Sequence, residues 1–395
     1  MIFITFPNKI IVMNTPACFD TIRPFEAEEI AGVVDHLFAE PQFCQIVGSL
    51  FPGQPLDKLR EGLRVCPDLL TLQKQFIYPL VKDLLGKCSH GITFDCEALP
   101  SRSANYTFVS NHRDIVLDSA FLDVLLVENG FSTTAEIAIG DNLFGLPWIE
   151  PLVRLNKSFI VRRGIGMREM LAASKLLSSY MHYAIGEKHE NIWIAQREGR
   201  AKDSDDRTQE SLLKMLAMGG EGSAAERLKA LHIVPLAISY EYDPCDYLKA
   251  KEFQQKRDNP DFRKSKADDL LNMQTGIFGF KGHIHYAAAP VADEWLDTLA
   301  DRPKAEFFAA VAARMDKEIH RRYRLFENNY VAADLLEGGN RFAHHYTAEG
   351  RTRFEHYLAE RIALVDLPQK DDAFLRERML TMYANPLYNQ LAALA

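Results

Sequence analysis

FVSNHRDIVLDSAF, residues 108–121, starts as an apolar run, breaks into Asn111-His112-Arg113-Asp114 and resumes with apolar residues at helical spacing. Read along the chain, this is a buried strand, a polar turn and a helix. Asp114 is a natural N-cap, because a carboxylate there accepts from the unpaired N–H groups of the first helical turn. Asp118 then falls one turn inside the helix, and helical side chains lean back toward the N-terminus. Its carboxylate can reach the His112 imidazole, fix the tautomer and raise the basicity of the other ring nitrogen, as a general base for a hydroxyl requires. A surface histidine beside a helix cap has the same local pattern, so the neighbouring segments decide between them.

Outward from this stretch, short β-rich runs recur: GITFDCEAL (91–99), TAEIAIG (134–140), KSFIVRR (157–163), NIWIAQ (191–196), HIVPLAISYE (232–241) and GHIHYAAAPV (282–291). Helical patterns lie between them, as in VLDSAFLDVLLVEN (116–129) and MREMLAASKLLSSYMHYAIG (167–186). The alternation predicts an α/β fold with a mostly parallel central sheet flanked by helices, whose functional loops follow the strand ends. Residues 1–92 read as a helical N-terminal region, with FEAEEIAGVVDHLF (25–38) and LLTLQKQFIYPLVKDLL (69–85) at helical spacing. Residues 93–290 form the α/β unit, interrupted at 245–275 by a highly charged segment expected to be a solvated helical insertion, and 291–395 is helical again.

Composition narrows the class. A chain of 395 residues with 47% hydrophobic and 25% charged residues is an ordinary globular protein. No apolar run reaches the ~18–20 residues of a membrane-spanning helix. A net charge of −8 leaves no domain-wide basic field for nucleic acid. The six cysteines are scattered without a C-x-x-C pair, which fits a reducing compartment and neither a zinc ribbon nor a disulfide scaffold. The apolar start, MIFITFPNKIIVM, lacks the layout of a signal peptide, and Met13 could serve as initiator.

Two strand ends carry paired cations. KSFIVRRG brings Lys157, Arg162 and Arg163 to one rim, and WIAQREGRAKD brings Glu198, Gly199, Arg200 and Lys202 to the next. Arginine's planar fork matches phosphate oxygens in a bidentate way, and glycine lets backbone approach closely. On the side where the His112 loop lies, these clusters point to an anionic substrate. His283 and His285 share one face of a strand and His344 and His345 adjoin, but neither pair has a Cys or carboxylate ligand nearby, so no metal site is expected. Neither G-x-G-x-x-G, a P-loop nor G-x-S-x-G occurs, so nucleotide binding and a nucleophile elbow have no motif.

In order and spacing, NHRDIVLD, FIVRR, EGRAK and IVPLAISYE resemble the four blocks of the glycerolipid acyltransferase superfamily, across about residues 93–290. The double arginine and the fourth block are nearer the glycerol-3-phosphate branch than the lysophosphatidate branch. Two departures stand out: five residues rather than the family's four separate His112 from Asp118, and Gln196-Arg197 replaces the usual residues before Glu198. Either Asp118 or Asp114 could orient the histidine, and the capping argument favours Asp118. The resemblance implies His112 and Asp118 as the catalytic pair, with Asn111, Arg162, Arg163, Glu198, Gly199, Arg200 and Lys202 binding substrate. It implies an acyl carrier protein or coenzyme A thioester as co-substrate, with no separate cofactor, and a phosphorylated glycerol acceptor. It further implies a cytoplasmic enzyme attached peripherally to the inner face of the membrane, the N-terminal helices contributing the attachment. A non-phosphorylated lyso-aminolipid acceptor, a thioester hydrolase and a non-catalytic lipid-binding relative are the alternatives.

Overall fold

The computed structural model describes residues 15–51 and 53–395; the apolar start and Met13 lie outside the described residues. Seven strands form one sheet: β1 (Gly91–Asp95), β2 (Thr107–Ser110), β3 (Ala135–Gly140), β4 (Ser158–Val161), β5 (Asn191–Ala195), β6 (Ile233–Tyr240) and β7 (His283–Ala288). Their order is β1-β7-β6-β2-β5-β3-β4. From β6 to β4 every neighbouring pair is parallel. β7 runs antiparallel to β6 and carries β1 with it, parallel. Five strands therefore end at one edge, and two end at the other.

The inner strands β2, β5 and β6 are buried on both faces, which is why they read as continuous apolar runs, whereas edge strand β1 is largely exposed. Successive side chains divide between two cores. Phe108, Trp193 and Val234 join one, under helix α1 (Leu117–Glu128) and the helix Tyr78–Cys88. Val109, Ile192, Ile194 and Ile233 join the other, under α2 (Met167–Gly186). Four further helices bear on the site: α3 (Asp246–Asp258), α4 (Lys266–Phe278), α5 (Lys304–His320) and α6 (Asp372–Leu394). α5 completes the second core through Phe307, Val311 and Met315. In the N-terminal region, the 69–85 pattern forms as Leu69–Leu72 and Tyr78–Cys88, joined by a wider π turn at Gln73–Ile77. Pro79 lacks the N–H that a regular helix would use there. Among the described residues, no helix is long and apolar enough to cross a membrane.

The charged insertion differs from expectation. It is helical, as α3 and α4, but α3 is packed rather than solvated, with Asp246, Leu248, Lys249, Ala250, Glu252 and Gln254 buried. Its charges are satisfied inside the protein. Asp246 accepts from Arg361 at 2.8 Å, Tyr357 at 2.6 Å and Tyr383 at 2.9 Å, and Lys249 donates to Asp243. In the first half of α3 high charge signalled buried ion pairs, whereas residues 256–271 are mostly exposed, as expected.

Candidate active site

β2 ends at Ser110, and the next residues are fixed one by one. Asn111 is fully buried; its amide donates to the Ile238 carbonyl of β6 (2.9 Å) and accepts from the Ile238 N–H (2.8 Å). That double bond uses the amide up, so Asn111 clamps two strands and, contrary to the sequence reading, does not line the cavity described below. Arg113 is also buried. Its guanidinium meets Asp206 at 2.7 Å and lies over the Tyr323 ring. Between these anchors the His112 ring is held edge-on to Trp193, with centroids 5.7 Å apart.

Asp118 organises the turn. Its Oδ2 accepts from His112 Nδ1 (2.8 Å) and from the N–H groups of Arg113 (2.6 Å) and Asp114 (3.0 Å), while Oδ1 accepts from the Tyr240 hydroxyl (2.9 Å). Wrapping around one carboxylate oxygen is how the loop fits five residues between His112 and Asp118. Asp114 instead caps α1, accepting from the N–H groups of Val116 (2.9 Å) and Leu117 (2.8 Å). Burial, with the Asp118 charge beside it, pushes the Asp114 carboxyl above its ordinary value. With Nδ1 bound to a carboxylate, the imidazole carries its proton there and leaves Nε2 as the lone-pair nitrogen.

His112 lines a cavity of about 770 Å³, within the usual range of small-molecule sites. It opens where β2, β3, β4 and β5 end, at the carboxyl edge of a parallel sheet. One wall is apolar: Ala138, Ile139, Val161, Leu177, Leu212 and Met215. The other is cationic, with Arg162, Arg163, Arg200 and Lys202 from the sequence reading, alongside Glu198 and Gly199. Gly199 sits at φ +67°, a left-handed conformation that favours glycine. Lys157 does not reach this rim. It lies at the opposite, amino end of β4, buried, donating to Glu190 at 2.7 Å and to Thr133 and Thr134.

Several lining residues went unrecognised in the sequence. Arg197, read only as a departure from the family pattern, lines the cavity, whereas Gln196 beside it is buried. Lys249, Glu252, Lys264, Asp269 and Asn272 reach the cavity from the insertion. Strand periodicity cannot find residues delivered by a distant insertion; the mixed signs in YLKAKEFQQK were the available signal. The other histidines are engaged elsewhere: His283 Nδ1 with Glu241 (2.8 Å), His285 Nδ1 with Thr93 (2.7 Å), and His345 stacked on Tyr330. Among the described residues, no group of three or more His, Cys, Asp or Glu could hold a metal ion.

Residues 93–239 match the family model described as Acyltransferase. No curated protein matches the chain. Among solved structures, the chain is similar to the 1-acyl-sn-glycerophosphate (LPA) acyltransferase PlsC from Thermotoga maritima, at 10% identity and a TM-score of 0.31, over 72% of this chain and 96% of that one. So remote a likeness decides nothing by itself.

Proposed function

We propose, from the match of residues 93–239 to the Acyltransferase family model, that the chain transfers a fatty acyl group from an acyl carrier protein or coenzyme A thioester to the hydroxyl of a phosphorylated glycerol, glycerol 3-phosphate or its 1-acyl form. The observation that carries the reading is the position of His112, locked by Asp118 on one nitrogen and lining a cavity with one apolar and one cationic wall.

In this mechanism His112 Nε2 removes the acceptor's hydroxyl proton as that oxygen attacks the thioester carbonyl. Asp118 stabilises the imidazolium that forms. The tetrahedral intermediate collapses, the C–S bond breaks, and the thiolate leaves with the proton returned by His112. No Ser or Cys nucleophile is invoked, and none is hydrogen-bonded to His112 among the described residues. The arginines hold the acceptor's phosphate, which turns an encounter into a near-attack geometry. The apolar wall receives the acyl chain. The enzyme works at a membrane surface, where its lipid product is released. Among the sequence-derived residues, Arg200 takes the anion, and Arg162, Arg163 and Lys202, each already facing a carboxylate, add to the positive field; Asn111 acts through β6 and not on substrate.

A thioester-consumption assay against a panel of hydroxyl acceptors tests the proposal. Consumption should depend on a phosphorylated glycerol and yield the ester. Acyl release independent of any acceptor would make the protein a hydrolase, and preference for a neutral lipid alcohol would remove the phosphate from the reading.

A further inference from the structure

The charge of the cavity is set from outside the matched domain. Seven cationic side chains line it: Arg162, Arg163, Arg197, Arg200, Lys202, Lys249 and Lys264. Most already face a carboxylate. Arg163 meets Glu198 at 3.1 Å, Arg162 meets Asp141 at 3.6 Å, and Lys249 is held by Asp243. Lys202 and Lys264 converge on Glu252 of α3, which also accepts from Lys256 at 2.9 Å, and Lys264 meets a second lining carboxylate, Asp269, at 3.2 Å. Glu252 is 5% exposed, and it lies in the cavity wall. Burial opposes its ionisation, yet the ammonium groups of Lys202 and Lys256 hold its carboxyl below the ordinary value, so it is charged at neutral pH. Among the described residues, only Arg197 and Arg200 line the cavity without a carboxylate partner.

We infer that Glu252 is a specificity-determining residue: by occupying Lys202 and sharing Lys264 with Asp269 it limits the free positive charge of the cavity to what one anionic group on the acceptor can neutralise, and it repels an acceptor that brings a second. The inference rests on the acyl-transfer reading for the word acceptor, but the charge limit itself does not. A fixed carboxylate beside the binding cations is a repulsive element of the kind that specificity requires. Its repulsion is strong because the wall is partly desolvated, where charges are poorly screened. The geometry also explains why a glutamate is tolerated inside a site read as anion-binding. Three lysines around it satisfy its oxygens, and removing it would leave Lys202 without a carboxylate partner and Lys264 with Asp269 alone, so that Lys202 is free to take up phosphate oxygens.

The test compares inorganic phosphate with pyrophosphate by calorimetric titration of the full chain, alongside acceptor competition in the thioester assay. The unmodified protein should bind pyrophosphate no more than about threefold tighter than phosphate, despite its higher charge. In Glu252→Gln the preference for pyrophosphate should rise by about tenfold, the effect of one buried like charge removed. Glu252→Asp keeps the charge and should restore the original ratio, which a merely structural role for Glu252 would not do. An unmodified protein that already prefers pyrophosphate tenfold overturns the inference, whether or not the variants fold. So does an unchanged ratio in a folded Glu252→Gln. If no acceptor is acylated while the anion ratios behave as stated, the acyl-transfer reading fails and the charge limit stands.

Discussion

His112 is bound on one nitrogen and open on the other, and its two neighbours are anchored elsewhere. Replacing it by alanine should leave the fold intact, because Asp118 keeps the Arg113 and Asp114 N–H groups and the Tyr240 hydroxyl. Acyl transfer should fall by roughly 10²–10⁴-fold, the worth of a positioned base, measured as turnover of a protein whose melting is unchanged. Asp118→Asn should cut turnover severely with little change in acceptor KM, whereas Asp114→Asn, still able to cap α1, should be mild. Steady-state kinetics of the two variants, ranked against each other, check the assignment. A third residue gives a pH signature. Half-buried Asp123 accepts from the Ala135 N–H at 2.8 Å, and burial pushes its carboxyl up to about 7. Since the folded state then holds the proton more tightly than the unfolded chain, this stability is complete below about pH 4, the unfolded value, and is lost as pH rises through about 7. Asp123→Asn, which can still accept from Ala135, should flatten that loss, seen as a smaller drop in Tm between pH 4 and 8.

Among the elements of the insertion, α4 packs directly against the turn. A Cβ on Gly276 would stand 2.3 Å from Asp114 Oδ2, so Gly276→Ala must displace either the helix or the cap. It should lower both Tm and turnover, and differential scanning calorimetry with the thioester assay reads the two together. This contact was not legible in the sequence, where Gly276 is one glycine in the uncharged run LLNMQTGIFGF. The strands were. Seven runs rich in β-branched and aromatic residues became seven strands, the inner ones most plainly, because strands covered on both faces have no polar face to confuse the pattern. The pairing of His112 with Asp118 was legible too, through the leaning of helical side chains and the competing duty of Asp114 as a cap. What failed was local inference about partners. Lys157 and Asn111 carry the right chemistry, but strand direction put the first at the wrong edge, and the buried Ile238 peptide took the second. The second fact needs the pairing of β2 with β6, whereas the first follows from the strand itself, whose four extended residues separate Lys157 from Arg162.

At the scale of the whole molecule, the C-terminal helices reach the turn through one buried chain of contacts. Arg113 meets Asp206 at 2.7 Å, Asp206 accepts from the Tyr323 hydroxyl at 2.7 Å, and His320 at the end of α5 bonds the Asp206 carbonyl at 2.7 Å. Truncating the chain after about residue 300 removes Tyr323, His320 and the α5 side of the second core, so the fragment should lose turnover and solubility although it keeps the whole matched segment. Tyr323→Phe is the milder form: it removes one donor from buried Asp206 and should cost about 1–3 kcal/mol, measured by denaturant unfolding. The insertion has a different relation to the scaffold. The Tyr242 N–H donates to the Lys281 carbonyl at 3.0 Å, and just beyond it β6 and β7 are zipped together, Tyr240 opposite Ile284. The excursion therefore leaves and re-enters the sheet at adjacent points, like a stem whose crown can be exchanged. Lineages that inherit the same sheet and histidine can replace that crown, and with it the charges facing the substrate, without renegotiating the rest of the fold. Diversification of substrate choice in such chains should be concentrated between residues 243 and 280, as changes of length and charge, while the turn at His112 stays fixed.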